Sequence, residues 1–86
     1  MTTYYAKIRP TGINGTYGLT VHQANGKEIR FSQFLSSRPI GHDLTQAEAA
    51  RKLSGWKFIP ATGYYEWTEE TSSGKTLRAY GLTHLG

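Results

Sequence analysis

The sequence predicts an α+β fold, an antiparallel sheet of about five to six strands with one short helix packed on it. Three features carry that prediction. Period-2 alternation recurs in several short segments, turn residues punctuate them at regular intervals, and one alanine-rich stretch opens with a helix-start signature. The order is β-β-β-α-β-β-β, and 86 residues make a single domain spanning 1–86, because a chain this short cannot build a second core.

The first strand is read at Thr3 to Arg9, where Tyr4, Ala6 and Ile8 share one face and Tyr5, Lys7 and Arg9 the other. Pro10-Thr11-Gly12 ends it. A polar turn through Asn14 and Gly15 leads to a second strand near Thr16 to Gln23, with Tyr17, Leu19 and Val21 on one face. A third, near Lys27 to Leu35, places Ile29, Phe31 and Leu35 together.

The connection between the second and third strands fixes a register. A two-residue loop at Asn25-Gly26 sets Val21 against Arg30 and mixes apolar with polar faces. A three-residue loop, Ala24 to Gly26, with Gly26 left-handed in a bulge, pairs Val21 with Ile29 and Leu19 with Phe31. The second arrangement is the one predicted.

Ser36 to Gly41 reads as a loop. Thr45-Gln46-Ala47-Glu48 then forms a capping box, so a helix is expected to start at Thr45, run through Leu53 and stop near Gly55 in a left-handed conformation. Arg51 and Lys52 suit the negative end of its dipole. At roughly ten residues it is too short to stand alone and must lie on the sheet. Trp56 to Ile59 reads as the next strand, Pro60-Ala61-Thr62-Gly63 as a turn, and Tyr64 to Thr68 as the return strand of a hairpin. Glu70 to Lys75 forms a second turn, and Thr76 to Leu82 the last strand.

Composition excludes several functions. The chain has no Cys, so it holds no disulfide framework, thiolate zinc site or cysteine nucleophile. No apolar run approaches the ~20 residues that span a bilayer, and the start of the sequence lacks the regions of a signal peptide, so a cytoplasmic protein without a membrane partner is expected. The net charge of +4 is uneven. Residues 1–40 carry five Lys and Arg against one Glu, whereas residues 41–86 carry five against five acidic residues. All the excess positive charge therefore belongs to the first half, which allows a one-sided basic surface.

Catalytic and metal chemistry finds little support. Ser73-Gly74-Lys75-Thr76 resembles the end of a phosphate-binding loop, but the earlier glycine of that motif is Glu69 here and a strand follows where a helix is required. His22, His42 and His84 lack metal-ligand spacing. Glu66, Glu69 and Glu70 form the one carboxylate cluster, while Ser36, Ser37 and His42 could make a hydrolytic site only if the fold happened to join them. A non-enzymatic protein without a cofactor is expected, with a minor hydrolase as the third reading.

Two surfaces are candidates for binding. The segment Tyr64-Tyr65-Glu66-Trp67-Thr68-Glu69-Glu70 has aromatics on both faces of its strand, so a sheet covered on one side leaves either Tyr64 or the Tyr65/Trp67 pair exposed. Aromatics ringed by acids are anchors for a basic protein surface. The outward row Tyr5, Lys7 and Arg9, continued by Arg30, places cations beside a ring and suits phosphates and bases.

The capped helix Asp43 to Leu53, followed by an aromatic hairpin and a Gly-Lys turn, resembles the layout of small phage-encoded anti-CRISPR proteins. That resemblance spans residues 43–80 and implies a cytoplasmic, non-catalytic inhibitor of a nucleoprotein machine. Under it Tyr64, Tyr65, Glu66, Trp67, Glu69 and Glu70 serve as the protein-binding residues. The basic first half differs from the acidic, DNA-mimicking members. Three strands followed by a helix containing Glu48-Ala49-Ala50 also resemble DNA-binding domains of the AP2 and integrase arm-binding type. That likeness implies DNA or RNA contacts from Tyr5, Lys7, Arg9 and Arg30. Neither likeness fixes an oligomeric state.

Overall fold

The computed structural model describes residues 2–11, 16–35, 42–70 and 76–86. Along the chain run β1 (Tyr4–Pro10), β2 (Tyr17–Gln23), β3 (Glu28–Leu35), α1 (His42–Gly55), β4 (Phe58–Pro60), β5 (Trp67–Glu70) and β6 (Thr76–His84). The six strands form one antiparallel sheet in the order β3-β2-β1-β6-β4, with β5 also paired to β6, and α1 packs on it against β3 and β4. This is the α+β order the sequence predicts. No helix among the described residues is long and apolar enough to cross a membrane.

Strand alternation sorts the apolar residues as expected. Ala6 and Ile8 of β1, Leu19 and Val21 of β2, Leu35 of β3, Leu77 and Leu82 of β6, Phe58 of β4, and Ala49 and Leu53 of α1 are buried in one cluster. Phe58 is the bulkiest fully buried side chain, and its ring meets Tyr4 edge-on at 5.2 Å and Phe31 at 4.9 Å. Burying a side chain of that size is worth about 1.5–3 kcal/mol, a large share of the stability of so small a domain.

At the β2–β3 turn, the Gly26 amide donates to the Gln23 carbonyl at 2.8 Å and Gly26 has φ +97°. The Gln23 amide donates to the Lys27 carbonyl at 2.8 Å, which closes the three-residue loop expected from the face argument. The predicted pairing of Leu19 with Phe31 does not extend from it. His22 lies opposite Glu28 but Thr20 opposite Ser32, so Val21 faces the three residues Ile29 to Phe31, and Leu19 pairs with Gln33. A slip of two residues preserves face parity, so Ile29 and Phe31 still pack on the core.

The helix starts one turn before the expected capping box. Thr45 and Glu48 are buried within α1, past its first turn, and do not stand at its start. Its end differs as well: Gly55 remains within the helix, and the left-handed residue is Lys57, at φ 67°. The Lys57 amide donates to the Ser54 carbonyl at 3.0 Å, and the Lys57 carbonyl accepts from the Leu85 amide at 2.9 Å. Pairing with β6 thus holds Lys57 in a conformation its own side chain disfavours.

The predicted hairpin of residues 56–59 with 64–68 does not form. The turn is present, with the Gly63 amide donating to the Pro60 carbonyl at 3.1 Å and Gly63 at φ +89°. Yet β4 and β5 both pair with β6, Phe58 opposite His84 and Trp67 opposite Ala79, as two halves of one edge strand. Residues 61–66 make an excursion between them. Carbonyl alternation explains the outcome. The Lys57 carbonyl points toward β6, so that of Phe58 points to the free edge, where the Tyr65 hydroxyl donates to it at 2.6 Å. The acceptor that a hairpin partner would have used is already satisfied. Opposite the excursion, Tyr80 and Gly81 of β6 face the single residue Tyr5 of β1 in a bulge, with Gly81 at φ +73°.

Candidate functional site

The face of the sheet opposite the core carries the polar members of each alternation. Cross-strand partners place Ser32, Thr20, Lys7, Arg78 and Thr68 in one row across β3, β2, β1, β6 and β5. On one side of this row Tyr5 lies opposite His22, and their rings stack at 4.9 Å with 7° between planes. The Tyr80 ring lies 5.4 Å from that of Tyr5, and the Arg78 guanidinium sits 5.3 Å from the Tyr5 ring centre. On the other side Arg9 lies opposite Gly18, which lies opposite Phe34.

His22 serves as a fixed part of this face. It is buried, with Nδ1 3.3 Å from the Gly26 carbonyl and Nε2 2.9 Å from the Thr20 hydroxyl. A carbonyl only accepts, so Nδ1 carries the proton and Nε2 accepts from Thr20 in the neutral ring. Both nitrogens are engaged, and the ring becomes a rigid support for Tyr5.

All four predicted nucleic-acid residues lie on this face. Tyr5 and Lys7 are half-buried within it, while Arg9 and Arg30 are exposed. Alternation from Glu28 through Phe34 keeps Arg30 on the same side as Ser32. The structure adds Arg78, Tyr80 and Phe34. Phe34 is 70% exposed and Tyr80 58% exposed. Phe34 is out of phase with Leu35, the buried residue of its strand, and that phase was a signal in the sequence; Tyr80 shares parity with buried Thr76 and Leu82 and reaches this face only through the bulge at Tyr80-Gly81.

A groove of about 600 Å³ crosses this face over β1 to β3. Arg9, Gly18, Thr20, Glu28, Ser32 and Phe34 line it. Gly18 contributes no side chain to the floor, and Phe34 stands at the end where Gly18 pairs with it.

The aromatic and acidic segment is divided by the fold. Tyr65 and Trp67 are half-buried and pack on the core, where they line a cleft with Gln46, Ala47 and Ala50 of α1. Burial pushes the Tyr65 phenol above its ordinary pKa. Tyr64 is 62% exposed, with Glu66 and Glu69 also exposed. Glu70 closes β5 opposite Thr76, and its side chain lies outside the described residues.

Among the described residues, the other candidates are not gathered into a site. His84 packs its ring 4.5 Å from that of Phe58, with Nε2 3.0 Å from the Trp56 carbonyl. Ser36, Ser37, the His42 side chain and Ser73 to Lys75 lie outside the described residues. No group of three or more His, Asp or Glu side chains among the described residues could hold a metal ion. Comparisons with family models, with curated proteins and with solved structures returned no match to this chain.

Proposed function

We propose that this chain is a non-catalytic, cytoplasmic binding domain that takes single-stranded nucleic acid on the open face of its sheet. One observation carries the reading: aromatics and cations share that face, with exposed Phe34 and Tyr80 and half-buried Tyr5 interleaved among exposed Arg9 and Arg30 and half-buried Lys7. Cations meet phosphates, and ring faces stack on unpaired bases of any sequence.

Width favours a single strand over a duplex. Ser32 and Thr68 are separated by four inter-strand spacings, or about 19 Å, whereas a major groove is about 12 Å wide. A flat, ring-bearing face of that breadth cannot enter the groove, but it can spread an unstacked strand. In keeping with the layout resemblance to anti-CRISPR proteins, the target is a nucleoprotein machine whose exposed strand the domain occupies.

Fluorescence anisotropy with a labelled oligothymidine tests this. With Lys7, Arg9 and Arg30 each neutralising one phosphate, affinity falls about twentyfold as salt rises from about 50 mM to about 200 mM. Binding that ignores salt, or tighter binding to duplex than to single strand, rejects the reading.

A second reading rests on Tyr64, 62% exposed, with Glu66 and Glu69 of the same segment also exposed, as an anchor for a basic protein surface, the segment continuing through Tyr65, Trp67 and Glu70. Glu66→Lys with Glu69→Lys then abolishes co-purification of a host partner, whereas Arg9→Gln does not. The opposite pattern removes this second reading.

A further inference from the structure

We infer that the groove over β1 to β3 receives one nucleotide of the bound strand and prefers guanine there. This rests on the reading of the open face as a single-strand binder and names the chemistry of one position on it. The groove's volume of about 600 Å³ lies within the usual range of small-ligand sites.

Its lining is arranged from one end to the other. Arg9, exposed at the β1 side, is placed for a phosphate, and Phe34, at 70% exposure, offers a ring face for a base. Ser32, the direct partner of Thr20, places on the floor a hydroxyl that can donate or accept, whereas the Thr20 hydroxyl, whose proton goes to His22, can only accept.

Glu28 is the odd member. It is the one acid among residues 1–40, and it lines the groove together with Arg9. Toward phosphate it is repulsive. An ionised carboxylate only accepts hydrogen bonds, so the groups of a nucleotide that can meet it are N–H and O–H donors. Guanine presents two adjacent donors, N1–H and N2–H, matched to the two carboxylate oxygens. Thymine presents one, and adenine and cytosine present an amino group beside an acceptor that the carboxylate repels.

The test uses the whole chain and oligothymidines that differ only at one central base, read by anisotropy at fixed low salt. The strand with a central guanine is expected to bind roughly tenfold tighter than the all-thymine strand. Glu28→Gln is expected to bring that ratio below about twofold while binding the all-thymine strand as well as or better than the unaltered protein, since a repulsive charge is gone. Phe34→Ala weakens all strands together.

Glu28 is exposed, so its substitution leaves the core intact. Equal affinity for all four central bases overturns the inference and leaves the single-strand reading standing. So does a Glu28→Gln variant that shifts every strand equally, which marks Glu28 as a general electrostatic brake. A Glu28-dependent preference for RNA over DNA without base discrimination also overturns it, because the ribose hydroxyl is then the donor. Absence of binding to any strand removes both readings.

Discussion

The two faces of the sheet are drawn from the same strands yet do opposite work. In β1, Ala6 and Ile8 are fully buried on the helix side, with Tyr4 packed on them, whereas Tyr5 and Lys7 are half-covered and Arg9 is exposed on the other. The covered face holds aliphatics and interlocked rings and supplies the stability. The open face holds cations, hydroxyls and rings that stack on one another. What separates the two is one residue of phase, and a single strand can therefore carry both the fold's energy and the proposed recognition surface.

Substitutions should divide along that line, and the largest effect belongs to the covered face. Phe58→Ala removes the ring at the centre of the aromatic cluster and should cost about 3–5 kcal/mol, enough to unfold much of the population, as measured by urea denaturation. A small loss there would mean that the covered face is not the source of stability.

Gly81→Ala tests the bulge that lies between β1 and the split edge strand. No neighbour lies within 4 Å of an added Cβ, so the penalty is conformational, from φ +73°, and should be about 1–2 kcal/mol. Thermal unfolding reads it, and an unchanged midpoint would mean the bulge relaxes freely.

Tyr65→Phe deletes the hydroxyl that caps the Phe58 carbonyl and should cost about 1 kcal/mol at neutral pH. The pH dependence sharpens this. Burial raises the Tyr65 pKa in the folded protein, so its contribution is fully present below the unfolded phenol value of about 10 and is lost as pH rises through the higher folded value. The stability gap between the unaltered protein and Tyr65→Phe should therefore narrow above about pH 10 in denaturation series. A gap that widens there would place the phenol in a different environment.

On the open face, Arg9→Gln should change stability by no more than about 0.5 kcal/mol. The same substitution should flatten the salt dependence of oligonucleotide affinity by about 0.7 in the log–log slope, the share of one phosphate. A destabilised Arg9→Gln protein would break the division between the faces from the other side.

Much of this was legible in the residues, and the misses have a common cause. The inward and outward sets of β1 and β2, the three-residue loop at Gly26 and the turn at Gly63 follow from alternation and turn chemistry, which act over a few residues. The two-residue slip opposite Val21, the sharing of β6 by β4 and β5, and the left-handed Lys57 depend on hydrogen bonds between distant segments. The proposed binding residues divide in the same way. Tyr5, Lys7, Arg9 and Arg30 could be placed on one face from their phase, but Arg78 and Tyr80 join Tyr5 only because β6 returns beside β1.

The sequence by itself determined the element order, the faces that β1, β2 and β3 turn inward and the positive first half, because periodicity and charge are properties of neighbouring residues. Tertiary structure decided which strands adjoin and how far each is slipped, and with that where the groove opens and which rings are left in water. Those outcomes depend on which distant backbone groups satisfy one another, such as the Tyr65 hydroxyl on the Phe58 carbonyl, and no local pattern encodes that choice.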